Sequence, residues 1–271
     1  MIPSLATVER TLAADIAYTI SRMQVLERLP DNPLRIAYRP IDTTAVALMS
    51  ALPAFCRVIG LRAGHTPHIE PLVRWYREHG IKPTFELVPG HYHRSLGCEL
   101  ARHGFFQSGF HASLVAHLPL PDAVMAAATV EQVTSPSAME DYLDAYVAGW
   151  GIAEPAQPIF KANVRPWLEQ PGWSLYLARI DGKPAAAATL FVHDRVGYLA
   201  DGATAPSFRG RGLQQALLRR RIADAHMRGA DLVFSGAAPF STSHRNIERA
   251  RLRLQFMRAL WTPAETTLSE A

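Results

Sequence analysis

Apolar positions recur every three to four residues over 4–27, and this spacing predicts an amphipathic helix. Short apolar runs at 35–38, 45–51 and 55–61 predict strands. They are followed by a helical stretch at 69–79 that stops at Gly80, a plausible C-cap. A strand at 84–88, a helix at 94–103 stopped by Gly104, and a strand at 105–118 complete the first half. The second half carries a helix at 136–150, then strands at 174–180 and 185–193 separated by Asp181-Gly182. Asp-Gly between two apolar runs is a strong hairpin signal. A strand at 196–204, a long helix at 213–228, a strand at 231–235, a helix at 243–251 and a strand at 252–261 follow. Pro119 and Pro121 interrupt any regular element at 118–122, the best linker candidate.

A helix, the stretch 85–89, a helix, and Gly104-Phe105 with a strand repeat in the second half as a helix, the stretch 233–239, a helix, and Arg251-Leu252 with a strand, which points to two copies of one α/β unit. The expected architecture is α/β, with a mixed, mostly antiparallel sheet flanked by helices in each copy. The units are expected at 1–124 and 125–271, and the two sheets could form one continuous body.

Composition narrows the function classes. Apolar residues make up 48% and charged residues 19% of the chain, as in ordinary globular proteins. No apolar run reaches the ~20 residues of a membrane span, and the first residues do not read as a signal peptide. The expectation is a cytoplasmic protein with no membrane partner. The net charge of +4 is small and the basic residues are scattered outside 209–221, so no nucleic-acid face is expected. Cys56 and Cys98 are too few for a disulfide framework and are expected to be buried free thiols. His91, His93 and His103 match no standard metal spacing, so no metal site is expected. Arg219, Arg220 and Arg221 read as a solvated helix face.

The informative segment runs from Val196 to Leu218. A strand feeds a loop with Gly210 and Gly212, and the loop opens a helix with apolar Leu213, Ala216, Leu217 and Ile222. Glycine lets a ligand approach the backbone closely. A helix N-terminus offers unpaired N–H groups and a partial positive charge. Together they suit a pyrophosphate, each charge-assisted contact contributing roughly 1.5–3 kcal/mol.

On these residues the chain resembles the GNAT superfamily of N-acetyltransferases, as a tandem member with a degenerate first half. Arg209-Gly210-Arg211-Gly212-Leu213-Gln214 is similar to the family signature Gln/Arg-x-x-Gly-x-Gly/Ala, with Gln214 departing from the final small residue. The resemblance covers about 130–271 and reaches Ser243–Arg249. It implies that Arg209, Gly210, Arg211, Gly212, Leu213 and Gln214 hold the pyrophosphate of acetyl-CoA or a related short acyl-CoA. It implies backbone contacts from Gly202, Ala203 and Thr204 to the pantetheine arm, and a contact from Asn246 near the thiol end. The first half reads Arg62-Ala63-Gly64-His65-Thr66-Pro67 at the corresponding place, and no cofactor is expected there.

The family chemistry is direct attack of a neutral amine on an acyl thioester. Keeping an amine of pKa ~10.4 neutral at pH 7 costs about 4.6 kcal/mol, so a base is useful. Asp201, just before the loop, is the candidate base. Tyr198, earlier on that strand and expected to share its face, is the candidate proton donor. The late helix offers Asn246 and Ile247 where many members have a tyrosine acid. The reading is an N-acyltransferase acting on a primary amine of a small molecule, with a homodimer allowed for. The acceptor pocket is expected between 136–173, with Trp150, Trp167 and Trp173, and the cofactor loop. The alternatives are acetylation of a protein N-terminus or lysine, and a non-catalytic acyl-CoA sensor.

Overall fold

The computed structural model describes residues 4–39, 41–42, 44–120 and 129–264. The expected boundary at 124/125 lies outside the described residues. Helix α1 (Leu5–Glu27) begins where the Ser4 side chain accepts the Thr7 N–H. Strands β1 (Ile36–Tyr38), β2 (Ala45–Met49) and β3 (Arg57–Ile59), helix α2 (Ile69–Glu78), strand β4 (Thr84–Leu87), helix α3 (Arg94–Arg102) and strand β5 (Phe105–His117) follow. The second half holds β6 (Thr129–Gln132), α4 (Pro136–Gly149), α5 (Gln157–Val164), β7 (Trp173–Ile180), β8 (Lys183–His193), β9 (Val196–Thr204), α6 (Leu213–Met227), β10 (Leu232–Ala237), α7 (Thr242–Arg249) and β11 (Arg253–Pro263). The β7–β8 hairpin turns on Asp181 and Gly182, both at positive φ, as its sequence predicts.

All eleven described strands form one sheet in the order β1-β2-β3-β4-β11-β5-β10-β9-β8-β7-β6. The internal repeat is real: β3-α2-β4-α3-β5 matches β9-α6-β10-α7-β11, and in each copy the first two strands pair in parallel. The last strands are exchanged. β11 lies between β4 and β5, and β5 lies against β10. Each copy thus completes the other's sheet, and the two form one continuous body.

Helix α1 spans the junction, packing on β1 and β2 of the first copy and on β8 and β9 of the second. Its buried stripe starts with Val8 and Leu12 and ends with Met23 and Leu26, but carries Asp15, Tyr18 and Arg22 in between. Three polar residues at i, i+3 and i+7 share one helix face. They point at the seam between the copies.

Two expectations are corrected. Cys56 is buried beneath β2, but Cys98 is exposed on α3. Arg221 is not on a solvated face: it is fully buried, and its guanidinium donates to the carbonyls of Leu217, Thr189 and Ala200. Burial lowers its pKa to about 10, so it remains a cation at neutral pH. The histidines have separate duties. His91 meets Glu9 at 2.6 Å, His93 accepts the Ser95 N–H at the start of α3, and His103 meets Glu99 at 3.1 Å. Among the described residues no cluster of potential metal ligands occurs.

Candidate active site

Strands β9 and β10 pair only over Val196–Tyr198 and Leu232–Phe234. The Ser235 hydroxyl, donating to the Leu199 carbonyl at 2.8 Å, is the last tie between them. Beyond it the strands part, and one edge of β9 is left without a strand partner. β9 also bulges there. Ala187 pairs with Ala203 and Thr189 with Ala200, so β9 advances three residues while β8 advances two. Asp201 and Gly202 are the unpaired residues, and Asp201 takes φ +50°. Bulges re-aim side chains and recur beside active sites. Arg221 fills the gap from the opposite face by bonding the Ala200 and Thr189 carbonyls.

Gly202 of the bulge, with Ala203 and Thr204 after it, forms the edge that β10 leaves uncovered. An unpaired strand edge can bond an extended ligand as another strand would. The edge leads to the glycine loop. Gly210 and Gly212 take φ +76° and +77°, in the left-handed region that favours glycine. Gly212 is the N-cap of α6 and provides no side-chain cap, so the first N–H groups of a fifteen-residue helix have no capping partner. A Cβ added at either glycine would meet no protein atom within 4 Å. These features fit a diphosphate: open space, bare donors and the positive end of a helix dipole. Arg209 folds back onto the Thr204 and Gly149 carbonyls, and Arg211 lies over the Phe208 ring. Gln214 does not crowd the loop. Its amide turns to β9 and donates to the Thr204 hydroxyl at 2.8 Å. Leu213 faces the core. Asn246, on α7, accepts the Gln215 amide through its main-chain carbonyl at 2.6 Å, which fixes α7 beside the first turn of α6.

The corresponding turn of the first copy is closed by its own residues. Arg62 donates its N–H to His65 Nδ1 at 2.9 Å, Thr66 bonds back to the Ala63 carbonyl, and Pro67 has no N–H to offer.

Tyr198 and Asp201 are three residues apart, which on a regular strand would set them on opposite faces. The bulge brings them together. Tyr18 of α1 touches both: its hydroxyl donates to Asp201 Oδ2 at 2.6 Å, and its ring meets the Tyr198 ring edge-on at 5.0 Å. Burial pushes the Asp201 carboxyl up, while Arg22, the Tyr18 hydroxyl and Arg221 pull the other way without cancelling it. Tyr198 stacks on Phe234 at the base of the fork, and burial raises its phenol, so it stays a protonated donor.

A cavity of about 280 Å³ adjoins this point, lined by Tyr18, Arg22, Phe55, Arg57, Glu86 and Tyr198 among others. Its floor is a buried ion network. Asp15 pairs with Arg57 at 3.0 Å and with Arg258, and Glu86 pairs with both arginines at 3.1 Å. Asp201 does not line this cavity; Tyr18 stands between them. The tryptophans divide. Trp167 and Trp173 are buried near Arg22 and Tyr18, whereas Trp150 ends α4 half exposed.

Sequence reasoning misses Asp15, Tyr18, Arg22, Arg57, Glu86 and Arg258. The legible signal was the polar trio on the apolar stripe of 4–27. The partners of that trio come from strands that meet only in the folded sheet.

Residues 123–239 match the family model described as an acetyltransferase (GNAT) domain. A comparison with curated protein sequences finds no match. Among solved structures, a GCN5-related N-acetyltransferase from Kribbella flavida superposes with a TM-score of 0.64 at 18% identity, covering 94% of this chain and 97% of that one. A tandem GNAT protein from the clavulanic acid biosynthesis pathway gives 0.61 at 14% identity, covering 96% and 97%. A functionally unknown conserved protein from Staphylococcus epidermidis gives 0.60 at 13% identity, covering 84% and 94%. Residues 123–239 thus carry a domain of the GNAT acetyltransferase family, set in a fold that the chain shares almost end to end with GNAT proteins.

Proposed function

We propose that this chain moves an acetyl or other short acyl group from coenzyme A to a primary amine of a small molecule. One observation carries the reading: the open edge of β9 runs from a carboxylate at a bulge to a bare, glycine-capped helix N-terminus. The 209–214 loop would hold the diphosphate and 202–204 the pantetheine arm, with Asn246 beside them. The cofactor supplies an activated acyl thioester. In the net reaction an N–C bond forms, the C–S bond breaks, and the proton lost by the amine is matched by one gained by the thiol.

Asp201 takes the amine proton through the Tyr18 hydroxyl, which lines the cavity, accepts from the amine and passes its own proton to Oδ2. Its raised pKa makes it a stronger base than an ordinary carboxylate, and Tyr18 holds its Oδ2 in place. Tyr198, whose hydroxyl stays protonated, donates on the leaving-group side. The first copy has closed the corresponding turn, so its role is to wall the cavity through Phe55, Arg57 and Glu86. A cavity of about 280 Å³ suits a small acceptor better than a protein tail. The acids Glu131, Asp141, Glu140 and Asp144 are engaged by Arg179, Arg165 and Lys161 and form no open acidic groove.

Two measurements test the reading. Thiol release from acetyl-CoA should rise when amines from a broad panel are added; tight acetyl-CoA binding with no stimulation by any amine would make the chain a sensor. Gly212→Val should weaken acetyl-CoA binding by roughly 100-fold or more, through loss of about two charge-assisted contacts. No protein atom opposes the added side chain at this position, although the φ strains a β-branched residue. Unchanged affinity in a folded Gly212→Val protein would place the diphosphate elsewhere.

A further inference from the structure

Among the described residues Arg22 touches no carboxylate at ion-pair distance, although its charge acts on the buried Asp201 carboxylate. Arg22 is 5% exposed and lines the cavity. The other two arginines of the cavity differ, since Arg57 and Arg258 are neutralised by Asp15 and Glu86. Arg22 donates through Nε to Asn163 Oδ1 at 3.1 Å and lies over the Phe55 ring at 3.9 Å and the Trp167 ring at 5.1 Å. Its terminal NH2 has no acceptor. Neither does the Asn163 amide nitrogen that it adjoins, nor the indole N–H of Trp167 beneath it. Three buried donors therefore gather in one cluster without an acceptor among the described residues. Native proteins rarely leave buried donors unpaired, and a guanidinium fork matches a carboxylate.

The geometry points to an acceptor that carries a free carboxylate close to its amine, an amino acid or a similarly small zwitterion, with the carboxylate held by Arg22. This rests on the amine-transfer reading above and adds the substrate class. Arg22 lies one helical turn after Tyr18 on the same face of α1. Tyr18 reaches Asp201 and Tyr198. A carboxylate on Arg22 therefore leaves an amine a few ångström away directed at the proton-handling pair. Phe55 and Trp167 shield the guanidinium from water, which strengthens its bond to an anion.

The test compares matched acceptors on the full chain with saturating acetyl-CoA: the common L-amino acids, their carboxamides, and the decarboxylated amines. The thiol-release kcat/KM should favour the acids by roughly 10–100-fold over their amides, because a site built around a charged donor rejects an analogue that leaves it unpaired. Arg22→Gln should erase that preference mainly through KM, with acetyl-CoA affinity unchanged, and Arg22→Lys should restore part of it. Should Arg22→Gln fail to fold, the acid–amide pairs on the unaltered protein decide alone. Amides or decarboxylated amines turning over as well as the acids would overturn the carboxylate site and leave amine transfer standing. A preference that survives in Arg22→Gln would remove Arg22 from the role. Stimulation by no amine of any kind would overturn both readings.

Discussion

Asp15→Asn is expected to destabilise the fold by about 3–5 kcal/mol, the range for breaking a buried ion network by removing one partner. Asp15 has no exposed side-chain surface and faces Arg57 and Arg258 together. Its loss leaves Glu86 as the one carboxylate against two buried guanidinium groups. An exposed pair offers the contrast: Glu140→Gln, opposite Arg165 on the surface, should cost under ~1 kcal/mol. Denaturant unfolding of the two variants checks the comparison, and equal losses would refute it. The pH dependence has a definite sign. Burial raises the Asp15 pKa, but Arg57 and Arg258 outweigh burial and hold it below the usual carboxylate range. A depressed folded pKa gives stability that is present above the unfolded value of ~3.9 and is lost as pH falls through the folded value. Asp15→Asn should therefore flatten the acid limb of the stability profile.

Asp201→Asn should lower the amine-stimulated turnover by roughly 10²–10⁴-fold, the usual contribution of a positioned base, with acetyl-CoA affinity nearly unchanged. The wild-type rate should climb with pH through an Asp201 pKa above the ordinary carboxylate value, and the variant should lack that limb. The stability effect runs opposite to that of Asp15. A raised folded pKa favours the fold below the unfolded value, and that contribution is lost as pH rises through the folded one. At neutral pH the buried Asp201 carboxylate is thus a cost, and Asp201→Asn should leave the melting temperature unchanged or raise it. A pH–rate profile identical to wild type would remove Asp201 from the role of base.

Local signals carried most of the elements and the glycine loop that opens α6. The glycines at 210 and 212, the apolar face from Leu213 and the Asp181-Gly182 turn are contiguous in sequence, and each acts through its own backbone. The internal repeat was also legible, because both copies keep the same order of elements. The exchange of β5 and β11 was not: strand alternation tells which face is buried, not which neighbour pairs. The short strand β6 and helix α5 escaped notice, since four residues of strand and eight of helix give little periodicity. The bulge at Asp201 was invisible for the same reason. It arises from the register against β8 and from Arg221 filling it, and only this geometry sets Tyr198 and Asp201 against the same tyrosine. The cavity side of the candidate site was least legible. Asp15, Tyr18 and Arg22 read as ordinary polar residues of an amphipathic helix until β3, β4 and β11 are placed beneath them.

Calorimetric titration of the intact chain with acetyl-CoA tests the central claim most directly. The account predicts one site per chain, located in the β9–β10 fork. Its heat should vanish in Gly212→Val and survive substitution of His65 in the closed turn of the first copy. Two sites per chain, no binding, or a single site that persists in Gly212→Val and is lost with His65 would contradict it.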